Sequence, residues 1–431
     1  MFAIAVLLNL CTRVLDISGA FVTQDINREV YVNIDGSIWL LLKFLYGLID
    51  APKGFNDGMS EHVRSGGYTQ SKHDHCLFVK WTNWFTFIYI LVHVDDFFCA
   101  ATSEALIDEF ETHLKTRYDI TSKPFLGFLG VTITPLEDGS RIFTRSQQLE
   151  KIFTKWLPLG VKGVGPITPM AKNYEESRKG DFEECDKTEF LSLLGALQQL
   201  IDVRPDIMDA VGTAATFNHQ CNTEDMKALI RITKYLWVTQ DLGLVLRVGG
   251  KMTERHFIFL RGYADASYAS MQDGRSKFAY SFDLITLREG EEEPVPHNHA
   301  ENTGHFFTKR KTGDTTALSS FDSEHTAVAE ATKTAILFRG VLEELHQTQL
   351  RPTPIFNDNK STIQSANAYN GSHKNVRYML PRINWLFEQV KAGSVKAVYH
   401  DTKMLAPDMQ TKPLEGPNFV LKRSIQMGQK L

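Results

Sequence analysis

The sequence predicts an α+β fold built from three consecutive regions, and three patterns indicate it. Short β-rich runs alternate with helical periodicity over 1–135, the stretch 144–250 is mostly helical, and from His256 onward strands and helices alternate again. The chain has 431 residues, which is enough for two or three cores, because single domains usually contain about 100–200 residues. We therefore expect more than one domain.

The first region predicts a sheet flanked by helices. A buried helix is expected at Phe2–Leu10, and an amphipathic one over 103–118, where apolar residues recur every three or four positions. A further helix ends at Gly66-Gly67, and Thr82-Asn83 is a predicted hairpin turn. The expected strands are 30–32, 76–81, 85–100, 125–134 and 141–143.

The later regions predict helices first and then a mixed α/β domain of about 170 residues, a size typical of a single domain. In the helical region the clearest apolar periodicity is at 229–238. Residues 290–305 are acidic and contain two prolines, which indicates a flexible insertion. Along the last domain we expect a strand from 256, a helix at 323–345, a strand at 354–357, helices at 360–368 and 381–392, and a strand at 395–400.

Composition excludes some classes of protein. The chain is 43% hydrophobic, which is too high for a disordered protein, and it has no run of 18 apolar residues that could span a bilayer. Phe2–Leu10 lacks a basic segment before it, so a signal peptide is not expected. The five cysteines are scattered without a C-x-x-C pair. This pattern favours a reducing compartment, and it argues against a disulfide scaffold or a zinc knuckle.

Charge is unevenly distributed along the chain. The net charge is −4, but residues 351–431 contain 12 Lys and Arg against 5 Asp and Glu. A basic segment of this kind can bind a phosphate backbone. A solvated basic face without a ligand remains open as the alternative.

Acidic residues inside apolar strands are the sharpest chemical feature. Asp95 and Asp96 interrupt the β-rich run 85–100, and burial of an unpaired carboxylate is costly. A tight turn would place both at one tip, where either a bound cation or a plain polar turn would satisfy them. Asp16 is a third acid with apolar neighbours. Two distant acidic sites are what a two-metal phosphoryl-transfer centre needs, and Mg²⁺ prefers such oxygen ligands.

An ordered set of motifs extends this interpretation. The segments are Asp16-Ile17-Ser18-Gly19-Ala20-Phe21, Tyr46-Gly47-Leu48, Val94-Asp95-Asp96, Phe128-Leu129-Gly130 and Arg204-Pro205-Asp206. In this order they resemble the reverse transcriptase of copia-type LTR retrotransposon Pol polyproteins. Gly262-Tyr263-Ala264-Asp265, Leu318 to Glu324, Asn357-Asp358-Asn359 and Ala406-Pro407-Asp408 are similar to the RNase H region of the same family.

The resemblance implies an architecture. A reverse-transcriptase palm with truncated fingers would occupy 1–165, a helical thumb or connection 166–252, and an RNase H-like α/β domain 253–431 with the acidic insertion near 286–305. Family members have further basic finger strands before this point, so we expect much of the fingers to be absent.

The resemblance also implies site residues. Asp16 and Asp95, with Asp96 close by, would hold two Mg²⁺ ions for polymerisation, with Mn²⁺ as an alternative. Phe21 would lie against the sugar, and Tyr46 and Gly47 near the incoming nucleotide. The acids implied for a second two-metal centre, the hydrolytic one, are Asp265, Glu324, Asp358 and Asp408. The implied partners are an RNA template, a DNA primer, an RNA:DNA hybrid and deoxynucleoside triphosphates.

Some positions differ from the family pattern. His93 replaces the tyrosine before Val-Asp-Asp, and Ile49-Asp50 replaces a Lys-Gln pair. Three functions therefore remain open: a polymerase with RNase H, a non-catalytic remnant that binds nucleic acid, and an active RNase H with an inactive polymerase half. The oligomeric state and the cellular location also remain open.

Overall fold

The computed structural model describes residues 1–83, 85–178, 180, 182–249, 256–271, 273–292, 303–368 and 374–429. The chain forms two compact units, one of 1–128 with 343–346 and one of 129–342 with 347–431. Most of the predicted acidic insertion, at 293–302, lies outside the described residues. The domain boundaries at 165 and 252 stay a prediction.

The first unit is built on a six-stranded sheet in the order β4-β5-β6-β7-β1-β8. Helices α2 and α3 bury apolar residues spaced three and four positions apart, such as Phe55 and Met59 on α2 and Phe110 and Leu114 on α3. These side chains form one core with Leu15. The elements are α1 (Phe2–Leu7), β1 (Cys11–Ile17), β2 (Tyr31–Ile34), β3 (Ser37–Leu40), α2 (Ala51–Ser65), β4 (Thr69–Gln70), β5 (Leu77–Asn83), β6 (Thr86–His93), β7 (Asp96–Ala101), α3 (Glu104–Lys115), β8 (Ile120–Pro124) and β9 (Gly127–Phe128).

The second unit begins with two strands and a group of helices. Here β11 pairs with both β10 and β12 in antiparallel fashion. The helices share a core that also includes Met409 and Phe419 from near the C-terminus. The elements are β10 (Val131–Pro135), β11 (Arg141–Thr144), α4 (Ser146–Trp156), α5 (Tyr174–Ser177), α6 (Lys187–Gln198), α7 (Met208–Ala215), α8 (Thr223–Val238) and β12 (Leu244–Leu246).

A five-stranded mixed sheet follows, in the order β15-β14-β13-β16-β17. The long strands β13, β14 and β15 are antiparallel, whereas β16 and β17 run parallel to β13. The elements are β13 (His256–Ser267), β14 (Lys277–Arg288), β15 (Phe307–Thr312), α9 (Ser320–Glu344), β16 (Thr353–Asn357), α10 (Lys360–Asn367), α11 (Leu380–Lys391), β17 (Val395–Tyr399) and α12 (Gly416–Met427).

The structure differs from the sequence-based expectations in a few places. Strand β5 continues through Asn83, so the hairpin turn comes later than predicted. The strand expected at 125–134 is interrupted because Leu129 and Gly130 both have positive φ. Cys185 and Cys221 form a disulfide with a Cα–Cα distance of 5.8 Å, which their sequence spacing did not indicate. Within the described ranges, no helix is long and apolar enough to cross a membrane.

Candidate metal centres

The acids of the N-terminal region meet at one end of the first sheet. In the antiparallel register of β1 and β7, Asp16 lies directly opposite Asp96. Directly paired residues point to the same face, with Cβ atoms about 4.5–5.5 Å apart. Asp95 occupies the preceding turn, and its carbonyl oxygen accepts a hydrogen bond of 3.0 Å from the backbone N–H of Ile17. The fold therefore brings Asp16 beside two adjacent acids that follow it by 79 and 80 positions in the sequence.

The environment of Asp96 disfavours its ionised form. Burial raises the pKa of Asp96, and the charges of Asp16 and Asp95 raise it further. Val94, between the strands, has φ of +57°, which is unusual for a β-branched residue and costs about 1–3 kcal/mol. This strained turn holds Asp95 beside the end of β1. A cation placed here would relieve the repulsion.

The predicted nucleotide-binding residues form an aromatic pair. A 3₁₀ helix, Ala20–Thr23, follows β1 and holds Phe21 half-buried against the core. The ring centroids of Phe21 and Tyr46 are 4.7 Å apart, and Tyr46 is 56% exposed. Gly47 has φ of +104°, a conformation that an L side chain rarely adopts. The structure thus brings Phe21, Tyr46 and Gly47 to one place.

Two of the residues that depart from the family pattern differ in exposure: His93 is exposed and Asp50 is half-exposed. His93 ends β6 opposite Asp96 in the strand register. Asp50 forms two hydrogen bonds of 2.9 Å with the Arg28 guanidinium, which lowers the pKa of Asp50. Asp50 is therefore a partner of Arg28 in this structure.

The second group of acids lies at the ends of the parallel strands. Asp265 is near the end of β13, and Asp358 directly follows β16. Since Tyr263 pairs with Phe356 in register, the two acids leave their strands at the same level. Glu324 comes from the first part of α9. Carboxylate oxygens of Asp265, Glu324 and Asp358 all lie within 4.8 Å of one another.

Neighbouring side chains orient these carboxylates, and sequence reasoning missed them. The Asn357 amide donates to Glu324 at 2.9 Å and to the Ala264 carbonyl at 3.0 Å. The hydroxyl of Thr411 donates to Asp265, and that of Thr402 donates to Asp358. Asn357 lies within a motif quoted above and Thr411 follows another by three residues, but no spacing rule indicated the hydrogen-bond partners of either.

Two members of the second group are buried, and Asp358 is partly buried. Asp265 is 1% exposed and Glu324 is 8% exposed. Burial, followed by the charge of Asp408, raises the pKa of Asp265 to about 7. Burial, followed by the charge of Asp265, raises the pKa of Glu324 to about 9. Three carboxylates this close together, two of them buried, need positive charge nearby to ionise together.

The fourth predicted acid has a different environment. Asp408 lies in a 3₁₀ helix, Ala406–Gln410, and is 2% exposed. One of its oxygens forms an ion pair with Lys412 and the other with Lys422. Asp408 is close enough to raise the pKa of Asp265, but it is not part of the group within 4.8 Å.

The donor chemistry of the second group fits a hard divalent cation. Carboxylate oxygens are the ligands that Mg²⁺ and Mn²⁺ prefer, and burial together with the neighbouring acids raises the pKa values of Asp265 and Glu324. The first group has the same chemistry but is less compact. Of the described His, Cys, Asp and Glu side chains, only Asp265, Glu324 and Asp358 form a group of three within 4.8 Å.

Comparison with known proteins gives a consistent result. Residues 1–167 match the family model described as reverse transcriptase (RNA-dependent DNA polymerase). The chain is 26% identical over 422 residues to the retrovirus-related Pol polyprotein from transposon RE1 of Arabidopsis thaliana, covering 94% of this chain and 27% of that protein. It is 25% identical over 455 residues to the Pol polyprotein from transposon TNT 1-94 of Nicotiana tabacum, covering 99% and 31%. The chain thus spans about a third or less of the length of these relatives.

A solved structure supports the fold. The foamy viral protease-reverse transcriptase dRH in complex with double-stranded DNA superposes with a TM-score of 0.50 at 13% identity, covering 93% of this chain and 59% of that one. At this identity the likeness concerns the fold alone, and it agrees with the mixed α and β architecture. The chain thus contains a reverse transcriptase domain, and almost its whole length is similar to Ty1/copia-type retrotransposon Pol polyproteins.

Proposed function

We propose that the chain is an RNA-directed DNA polymerase joined to a ribonuclease H, and that each activity uses a pair of Mg²⁺ ions, with Mn²⁺ as an alternative. The observation that supports this most is the meeting of distant acids in two places, Asp16 opposite Asp96 and Asp265 beside Glu324 and Asp358. Two-metal phosphoryl transfer needs such paired carboxylates. The reverse transcriptase domain of the family supports the polymerase half.

In the polymerase centre, the sheet of the first unit acts as the palm. Asp16 and Asp95 hold the metals, and Asp96 adds negative charge beside them. Phe21 lies against the sugar of the deoxynucleoside triphosphate, where its ring excludes a 2′-hydroxyl. Tyr46 and Gly47 contact the incoming nucleotide and the RNA template, and the DNA primer ends at the acids.

In the nuclease centre, Asp265, Glu324 and Asp358 hold the metals beside an RNA:DNA hybrid, with Asp408 as the fourth acid. Bound divalent ions supply a water of lowered pKa and neutralise charge on the phosphodiester. Asn357 and Thr411 keep the carboxylates oriented. The helical region 166–252 acts as the thumb or connection.

A second candidate is an active nuclease with an inactive polymerase half. It is favoured by one observation: among the described residues, the acids of the first group do not approach one another as closely as those of the second. The departures at His93 and Asp50 also lie in the first unit.

Two assays on the full chain test both candidates. Primer extension on an RNA template measures the first centre, and cleavage of a labelled RNA:DNA hybrid measures the second. We expect Asp95→Asn to abolish extension and spare cleavage, and Asp265→Asn to do the reverse. Asp35→Asn and Asp314→Asn replace exposed acids of the two units and should change neither.

The outcomes separate the candidates. The bifunctional enzyme is supported if Asp95→Asn abolishes only primer extension and Asp265→Asn abolishes only hybrid cleavage. Cleavage without extension supports the second candidate. A folded chain that does neither with Mg²⁺ or Mn²⁺, yet binds the hybrid in a salt-dependent way, contradicts both and indicates a nucleic-acid-binding remnant.

A further inference from the structure

Asp408 differs from the three acids of the second group in how its charge is neutralised. Its two oxygens are divided between two lysines, Lys412 on one and Lys422 on the other. Among the described contacts, only neutral side chains donate side-chain hydrogen bonds to the carboxylates of Asp265, Glu324 and Asp358. Of the four acids, Asp408 is therefore the one that forms direct ion pairs with lysines among the described residues, whereas the charge of Lys412 reaches Asp265 and Glu324 only from a greater distance.

The two lysines are held differently. The Lys422 side chain is 4% exposed and also donates to the Thr402 carbonyl at 2.6 Å, so it is fixed. The Lys412 side chain is 42% exposed and follows Asp408 by four residues. An exposed lysine has many accessible rotamers, and its pairing with a carboxylate exchanges easily for another anion. Lys412 is thus the partner that can leave.

We propose that Lys412 is a built-in counter-cation that occupies the place of a second metal ion. The free chain binds one divalent ion at Asp265, Glu324 and Asp358. A second divalent ion could bind the Asp408 oxygen only after Lys412 has left it. Lys412 leaves when it pairs with a phosphodiester of the bound hybrid instead. This inference rests on the proposed nuclease centre, and it makes Lys412 a positioning residue that couples metal loading to nucleic-acid binding.

Calorimetric titration with Mn²⁺ tests the inference through stoichiometry. The full chain is used with Asp16→Asn and Asp95→Asn, so that the first group of acids does not contribute. We expect one Mn²⁺ per chain in this background. Lys412→Met should add a second Mn²⁺ or tighten binding about tenfold, because it removes a positive charge beside the site.

Matched variants control for charge and folding. Lys412→Arg keeps the positive charge and should still bind one Mn²⁺ per chain. Lys403→Met should also bind one Mn²⁺ per chain. It removes an exposed lysine that forms no ion pair with Asp408 among the ion pairs described. If Lys412→Met does not fold by circular dichroism, Lys412→Gln makes the same comparison. Unchanged stoichiometry and affinity in these charge-removing variants, or two ions already in the background chain, overturns the inference.

A second measurement follows the phosphate contact. Without divalent metal, Lys412→Met should lower the slope of log K against log salt for hybrid binding by about one, and Lys412→Arg should not. An unchanged slope in Lys412→Met overturns the phosphate part. Failure of the proposed function itself looks different, because Asp265→Asn would then leave Mn²⁺ binding intact.

Discussion

Asp16 and Asp96 face each other across neighbouring antiparallel strands, on the same side of the sheet. Ordinary cross-strand pairs stabilise a sheet, whereas like charges directly opposite destabilise it. Burial raises the pKa of Asp96, and the charge of Asp16 across the strands raises it further. A protein that keeps such a pair at the end of a well-packed sheet gives up stability for a site that binds positive charge.

The first prediction follows from this pair. Asp96→Asn should raise the unfolding free energy by about 1 kcal/mol at neutral pH in EDTA, because it removes the repulsion and keeps the shape of the side chain. Urea denaturation at pH 7 measures the change, with Asp35→Asn as the control for an exposed acid. Mg²⁺ should reduce the difference between parent and variant, and a variant less stable than the parent in EDTA would contradict the interpretation.

The second prediction concerns Glu324. Its folded pKa of about 9 lies above its ordinary value of 4.5, so the folded state holds a proton that the unfolded state has lost. In EDTA, the unfolding free energy should therefore fall as pH rises from about 4.5 to about 9. Glu324→Gln should flatten this slope and exceed the parent by about 1–3 kcal/mol at pH 9.

The control for this measurement is Glu289→Gln at an exposed position. It should leave the slope unchanged. Saturating Mg²⁺ should stabilise the parent more than Glu324→Gln, because an ion that binds the folded state adds to its stability. If Mg²⁺ stabilised the parent and Glu324→Gln equally, the ion would not bind at Glu324.

Sequence reasoning singled out acids that the fold brings close together, but it did not indicate the side chains around them. Asp16, Asp95, Asp265 and Asp358 stand in apolar strands or at strand ends, and burial of a carboxylate is unusual enough to be noticed in sequence. Lys422 gave no such signal, because it lies 14 positions from Asp408 on another helix. Contacts of this kind depend on tertiary packing, as does the pairing of Cys185 with Cys221.

The order of elements was also largely predictable. The periodicity at 103–118 matches α3 and that at 229–238 matches the end of α8. The start of α8 was missed, although Asn222 and Asp225 form a capping box there. What periodicity could not show is that Met409 and Phe419 join the core of the helical region. That contact depends on the path of the chain over 170 intervening residues.

The third prediction concerns the buried ion pair of the Arg-Pro-Asp motif. Arg204 is 1% exposed and donates two hydrogen bonds to Asp206 at 2.9 and 2.8 Å, and Tyr235 also donates to Asp206. Arg204→Met leaves the Asp206 carboxylate buried without its cation and should cost about 3–5 kcal/mol of unfolding free energy. Chemical denaturation measures the cost.

An exposed pair in the same unit provides the comparison. Arg145 donates to Asp202 at 2.6 Å, and Asp202 is half exposed. Arg145→Met should cost less than about 1 kcal/mol, because solvent screens the pair. Adding Asp206→Asn to Arg204→Met should recover part of the loss. If Arg204→Met and Arg145→Met lowered the unfolding free energy equally, burial would not determine the contribution of the Arg204–Asp206 pair to stability.

The fourth prediction concerns the pH dependence that His305 confers. His305 lies in the second unit, 2% exposed, with its ring stacked on Tyr263 at 4.7 Å and its Nδ1 2.7 Å from the Ser281 hydroxyl. Burial, followed by the charge of Arg261, lowers the pKa of His305 to about 3. The imidazole is therefore neutral in the folded protein at pH values where the unfolded chain protonates it.

The sign of the effect follows from that difference. A depressed folded pKa contributes stability that is present above the unfolded pKa of 6.5 and is lost as pH falls toward 3. Between pH 6 and 4, His305→Asn should therefore reduce the pH slope of the unfolding free energy by about 1.4 kcal/mol per pH unit, the value for one proton. Denaturation at several pH values measures it. His219→Asn, at an exposed position, should leave the slope as in the parent, and a parent-like slope in His305→Asn would mean that the ring is protonated in the folded state.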